Sequence, residues 1–117
     1  MRENALRRSI EMRDYKLELL APAWRELEMI ADMHLSLVGA KSAENITTQI
    51  LDALECLKTS PYMGRACEER ILAADEYRKL VVGKYLCFYR VIADTVYVYH
   101  IVNGKRDYPK IFEEEQQ

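Results

Sequence analysis

Residues 77–102 read YRKLVVGKYLCFYRVIADTVYVYHIV, and this stretch decides the fold. Three runs within it, Tyr77–Val82, Tyr85–Ile92 and Thr95–Val102, are rich in Tyr, Val, Ile and Phe. Those side chains fit a pleated, half-buried surface. Gly83-Lys84 supplies a Gly-X turn between the first two runs, and Ala93-Asp94 links the second to the third. An antiparallel meander is expected. Alternation then assigns faces. Arg78, Leu80 and Val82 share one face of their strand, and Tyr77, Lys79 and Val81 share the other. On the next strand Tyr85, Cys87, Tyr89 and Val91 oppose Leu86, Phe88, Arg90 and Ile92. Both sets are largely apolar, so the sheet should be covered on more than one side. Helices can cover one face, and the other is expected to await a partner.

Upstream the period changes. Tyr15–Ala21, YKLELLA, alternates as a half-buried strand. Pro22 suits the first turn of a helix. Trp24, Leu27, Ile30, Ala31, His34, Leu37 and Val38 recur at helical spacing, with Glu26, Glu28 and Asp32 on the opposite face. Gly39 should end this helix and Ser42 should N-cap a second one. Its stripe is Ala43, Ile46, Ile50, Ala53, Leu54 and Leu57, and Pro61 and Gly64 stop it. The short link makes the two helices antiparallel neighbours. Residues 65–76 read as a polar connection. All four glycines, at 39, 64, 83 and 104, fall at these junctions. The order is β-α-α-β-β-β. The expected fold is α+β, an antiparallel sheet with a two-helix hairpin packed on one face. Residues 1–13 read as an N-terminal arm or short helix, 14–112 as the domain, and 113–117 as an acidic, solvated tail.

The chain has 117 residues, 17 Lys+Arg and 19 Asp+Glu, for a net charge of −2. That length favours one domain. Hydrophobic residues make up 50% and charged residues 31%, which excludes a disordered chain. No apolar run approaches the roughly 20 residues needed to span a bilayer, and no secretion signal is visible. A cytoplasmic location is expected, with no membrane partner. Cys56, Cys67 and Cys87 are odd in number and widely spaced, so neither a disulfide framework nor a zinc site is expected. All three read as buried small apolar side chains. His34 and His100 lack metal-ligand spacing and read as packing residues. No metal and no cofactor are implied.

The charge is unevenly spread. Residues 1–76 carry −4, residues 77–112 carry +5 and the last five carry −3. The basic stretch holds Arg78, Lys79, Lys84, Arg90, Lys105, Arg106 and Lys110, together with six of the eight tyrosines. Cations interleaved with aromatic rings suit phosphate contact and stacking. The plainer alternative is a sheet with tyrosines in the core and cations in water.

The order of these pieces resembles a known family. A strand and helical hairpin end in Leu57-x-x-x-Pro61-x-x-Gly64-Arg65, followed by Tyr77-Arg78-x-Leu80-x-Val82-Gly83-x-Tyr85. Then come Tyr89-Arg90-Val91-Ile92, Val96-Tyr97-Val98 and Ile101-x-x-Gly104-Lys105-Arg106-Asp107-Tyr108. Across residues 14–112 this resembles the RelE/ParE superfamily of type II toxin–antitoxin toxins. The resemblance implies a bacterial growth inhibitor held inactive by a cognate antitoxin. RelE-like members cut mRNA in the ribosomal A site without a metal, through basic residues and a proton-transferring side chain. ParE-like members poison DNA gyrase and need no hydrolytic site.

For a cleaving member the resemblance implies Arg106, Lys105, Tyr108 and Arg78 as catalytic residues. Lys79, Lys84, Arg90 and Lys110 would then bind substrate. The match is incomplete. RelE's two lysines, two apart on one strand face, are replaced by adjacent Arg78 and Lys79, which point oppositely. An arginine of RelE is Leu86 here, and its late tyrosine aligns with Phe112, which transfers no proton. These departures favour a ParE-like, non-cleaving toxin. The alternatives are a ribosome-dependent mRNA endonuclease and a degenerate, non-toxic binding module. Read structurally, Arg78 anchors the sheet to the connection through Asp75 or Glu76, and Arg90 is a structural cation. The antitoxin should add a strand to a sheet edge or lay a helix in an apolar groove, its acidic residues meeting the basic region.

Overall fold

A computed structural model of the chain describes residues 14–106 and 108–116, with side chains described as far as Glu113. The expected N-terminal arm lies outside the described residues. Strand β1 (Lys16–Leu19) leads directly into helix α1 (Ala21–Leu37). Helix α2 (Ala40–Glu55) follows and closes in a 3-10 turn at Cys56–Lys58. Next come a two-residue strand β2 (Arg65–Ala66) and a short helix α3 (Arg70–Ala74). The meander is β3 (Arg78–Val82), β4 (Tyr85–Ile92) and β5 (Thr95–Asn103), followed by helix α4 (Tyr108–Gln116).

The fold is α+β with the hairpin on one sheet face, as expected. The sheet order is β1-β5-β4-β3-β2. The meander pairs are antiparallel, but β1 runs parallel to β5, with Lys16 opposite Thr95 and Leu19 opposite Val98. The sheet is therefore mixed. β1 shares its direction with β3 and β5, while β2, the first strand after the hairpin, runs opposite to them.

Face assignment by alternation holds. Tyr85, Cys87, Tyr89, Val96, Val98 and Ile101 face the hairpin and pack with Leu27, Ile30, Ile50, Leu54 and Leu57. The other face does not await a partner over its whole extent. Phe88 and Val102 there are covered by Leu72 of α3 and Phe112 of α4. The segment expected as a solvated tail continues a helix, and the residues expected as a polar connection include β2 and α3. One irregularity adds to this second core. Phe88 pairs with His100 but Tyr89 pairs with Val98, so Tyr99 is an extra residue in β5. Such a bulge turns consecutive side chains the same way. Tyr99 packs edge-on against Tyr77, and His100 edge-on against Phe112.

Several local expectations are corrected. The buried stripe of α1 is Ala23, Leu27 and Ile30, while Trp24, Leu37 and Val38 are exposed. With the stripe centred on Ala23, Glu26 lies three residues on and faces inward. Its carboxylate accepts the Ile101 N–H at 2.9 Å and meets His100 Nδ1 at 2.9 Å. It thereby satisfies the β5 edge beyond the point where β1 ends. Ser42 lies inside α2, whose N-cap is Gly39 at φ 142°, a conformation open to glycine but strained for L side chains. The Ser42 hydroxyl instead meets His34 Nδ1 at 2.9 Å, and His34 Nε2 meets the Tyr85 hydroxyl at 3.0 Å. His34 thus ties both helices to β4.

Gly64 marks the tightest approach. Its N–H donates to the buried Tyr89 hydroxyl at 2.9 Å. A Cβ there would lie 2.7 Å from the Lys79 carbonyl oxygen and 2.7 Å from the Tyr89 hydroxyl. Gly64→Ala should therefore destabilise the fold by about 2–4 kcal/mol, from overpacking plus a lost buried hydrogen bond. Chemical denaturation would measure this as a lowered midpoint at unchanged slope. The cysteines give a second check. Cys67 and Cys87 are buried, and burial pushes their thiols up to about 11 and about 12. Cys56, contrary to expectation, is exposed. Under native conditions iodoacetamide should label Cys56 alone, with the other two reacting only on unfolding, as read by peptide mass mapping.

Candidate functional site

The basic residues named from the sequence fall into three separate places. At one end of the sheet the Gly104 N–H donates to the Lys84 carbonyl at 2.8 Å, which brings the β3–β4 turn against the loop after β5. Lys84, Lys105 and Arg106 are exposed there. Arg106 also borders a groove of about 330 Å³ whose walls include Met29, Met33, Tyr85 and Ile101. Lys110 is exposed on α4.

At the other end of the sheet lie Arg78 and Arg90. Tyr85 to Arg90 is five steps along β4, about 17 Å at strand rise. Arg78 donates from Nε to the Gly64 carbonyl at 2.9 Å and from Nη2 to the Tyr62 carbonyl at 3.1 Å. Sequence alone suggests an anchor to the 65–76 connection through Asp75 or Glu76; these two bonds run to carbonyls that precede that connection. Arg90 sits between two rings, 5.6 Å from the Tyr77 centroid and 5.9 Å from that of Tyr99. Both arginines line a cleft of about 580 Å³.

The third place is on the α4 side. Tyr108, the first residue of α4, donates to Glu69 Oε2 at 2.7 Å. Lys79 lies 4.0 Å from the same carboxylate oxygen, and its ammonium sits 5.7 Å from the Tyr108 ring centroid. The Tyr108 hydrogen bond holds the Glu69 carboxyl below its ordinary value. Reciprocally, that carboxylate and burial push the Tyr108 phenol up. Tyr108 is thus a poorer acid than a free tyrosine, and its proton is committed to Glu69. Phe112, the residue aligned with RelE's late tyrosine, is buried in the second core.

Two polar residues that matter here were not legible as such. Glu69 stood in an unpatterned polar stretch, with no periodicity to mark it. Glu26 was hidden by centring the helical stripe on Trp24. Among the described residues no group of three His, Cys, Asp or Glu could hold a metal ion, and no helix is long and apolar enough to cross a membrane.

Comparison with known proteins places this fold. The sequence model of the ParE toxin of type II toxin–antitoxin system, parDE, matches residues 17–108. Toxin ParE1 of Mycobacterium tuberculosis, in strain CDC 1551 / Oshkosh and in strain H37Rv, is 33% identical over 91 residues. That alignment covers 76% of this chain and 90% of the relative. A solved structure of the chromosomal ParDE TA system from P. aeruginosa matches with a TM-score of 0.67 at 17% identity, covering 78% of this chain and 97% of the other. The chain belongs to the ParE toxin family.

The Glu69–Tyr108 pair makes a pH-dependent contribution to stability. Glu69 titrates lower when folded, so its contribution is present above its ordinary value of 4.5 and is lost as pH falls through the folded value. Tyr108 titrates higher when folded, so its contribution is present below 10.0 and is lost as pH rises through the folded value. Tyr108→Phe should cost about 1–2 kcal/mol at neutral pH. The gap from wild type should close toward pH extremes, as read by denaturation at a series of pH values.

Proposed function

We propose that this chain arrests bacterial growth by poisoning DNA gyrase, without cleaving nucleic acid, and is held inactive by its cognate antitoxin. One observation carries the non-cleaving part. Arg106 and Lys105 lie at one end of the sheet and Arg78 at the other, while Tyr108 is bonded to Glu69. A phosphorane-like transition state needs cations and a proton donor converging on one phosphate. Arg78 therefore does not converge with Arg106 and Lys105, and the Tyr108 hydroxyl, although its backbone adjoins Arg106, is committed to Glu69. Family membership supports the toxin role and an antitoxin partner, and gyrase is the target that requires no hydrolytic constellation.

Expression from a tightly repressed promoter should stop growth, and co-expression of the adjacent antitoxin gene should restore it. The purified chain should inhibit supercoiling by gyrase and trap cleaved DNA. Ribosomes programmed with mRNA should show no A-site cuts. Cuts that weaken in Arg106→Ala would replace this reading with an mRNA endonuclease. Tight antitoxin binding without growth arrest would replace it with a non-toxic binding module.

A further inference from the structure

The cations of this chain differ in what already holds them. Lys16, Lys58 and Lys79 each lie within 4.0 Å of a carboxylate oxygen. Arg78 is engaged by backbone carbonyls, and Arg90 by aromatic rings. Lys84, Lys105 and Arg106 are exposed, and among the described residues none of them has an ion-pair partner. These three meet at one corner of the sheet.

The backbone builds that corner. Tyr85 pairs with Asn103, so Lys84 and Gly104 lie just beyond the end of the β4–β5 ladder. The Gly104 N–H donates to the Lys84 carbonyl at 2.8 Å. The Asn103 side-chain oxygen accepts the Lys105 N–H at 2.9 Å, and the Asn103 carbonyl accepts the Arg106 N–H at 3.0 Å. Turn and loop are thus pinned together, with three cationic side chains on neighbouring anchor points. Glu26 lines the groove that Arg106 borders, but both its oxygens are engaged, by His100 and by the Ile101 N–H. Asp107, next along the chain, lies outside the described residues.

Clustered lysine and arginine side chains without carboxylate partners suit phosphate groups. The kind of nucleic acid follows from the rings nearby. Single strands are held by aromatic side chains on which bases stack. Tyr85, whose ring centroid lies 6.0 Å from the Lys84 ammonium, is only 1% exposed, and its hydroxyl meets His34. No base can stack on it. The exposed ring of Tyr62 belongs with Arg78, at the other end of the sheet. Contact at this corner is therefore with backbone phosphates, which a duplex presents without unstacking a base.

We propose that Lys84, Lys105 and Arg106 grip neighbouring phosphates of duplex DNA, so that the toxin holds the DNA on which gyrase works. This rests on the gyrase reading above and adds a DNA contact to it. A net charge of −2 gives no long-range attraction to DNA. The grip is short-ranged, since exposed charges are screened over about 8 Å at physiological salt. The free chain should accordingly bind DNA weakly, with the contact strengthened where gyrase already holds the duplex beside it.

The test follows a short fluorescent DNA duplex by anisotropy, with the full chain, over a series of salt concentrations. The logarithm of affinity should fall linearly with the logarithm of salt, with a slope of about −2.7 for three neutralised phosphates. Lys84→Ala, Lys105→Ala and Arg106→Ala should each make the slope shallower by about 1. Lys16→Ala removes a cation at the opposite end of the sheet and should leave the slope unchanged. All four side chains are exposed, so circular dichroism should not change. In a supercoiling assay the triple variant should need about tenfold more protein for equal inhibition, with antitoxin affinity kept. Absent or salt-independent binding, a slope untouched by the three substitutions, or tighter binding of single-stranded RNA than of the duplex would overturn the proposal. So would a triple variant that loses antitoxin affinity as far as DNA affinity, which would make the corner a protein-binding surface. Gyrase inhibition undiminished in the triple variant would overturn it too, and leave the gyrase reading standing. Duplex binding through these residues by a chain that does not inhibit gyrase would support the contact and overturn the target.

Discussion

Strand β4 is apolar toward both sides of the sheet, and the remaining architecture answers that constraint. Tyr85, Cys87 and Tyr89 are at most 1% exposed toward the hairpin, and Phe88 is fully buried toward the opposite side. Full burial of one such side chain stabilises by about 1.5–3 kcal/mol. A single layer of helices leaves half of that unrealised. The hairpin covers one face, and α3 and α4 supply the cover for the other. The polar atoms that burial strands on β4 are then resolved locally. The Tyr85 hydroxyl meets His34, and the Tyr89 hydroxyl accepts the Gly64 N–H.

How much of this was legible depends on whether a residue obeyed a period. The meander was readable nearly to the residue, because alternation, β-branching and turn chemistry agreed over 26 consecutive positions. The hairpin was readable in outline. Its phase slipped by one position at Trp24, and that slip alone turned Glu26 outward on paper. Helices α3 and α4 were not readable. Arg70–Ala74 is too short to display a period. In Tyr108–Gln116 the apolar residues crowd the first half and glutamates the second, which reads as a tail. Both are held by tertiary contact with Phe88 and Tyr77, not by local propensity. The bulge at Tyr99 left no trace either, since it depends on pairing between strands.

The same distinction governs the site residues. Sequence order places Arg78, Arg90 and Arg106 within one basic region, and composition treats them as a single field. Folding separates them, because antiparallel strands send successive turns to opposite ends of the sheet. Arg106 follows the end of β5, next to the β3–β4 turn, whereas Arg78 and Arg90 lie near the β4–β5 turn. Aligning cations by motif therefore overstates how many can meet at one phosphate.

That separation changes what the charge can do. A converged cluster of guanidiniums would stabilise a transition state. Here Arg78 is braced by backbone carbonyls and Arg90 by tyrosine rings, while Lys105, Arg106 and Lys110 are exposed elsewhere. Arg78 and Arg90 are braced in this way before any ligand arrives, so little side-chain ordering remains when one binds. Pre-organisation of this kind lowers the ordering cost of meeting an anionic group, which a chain of net charge −2 does not attract through its overall charge.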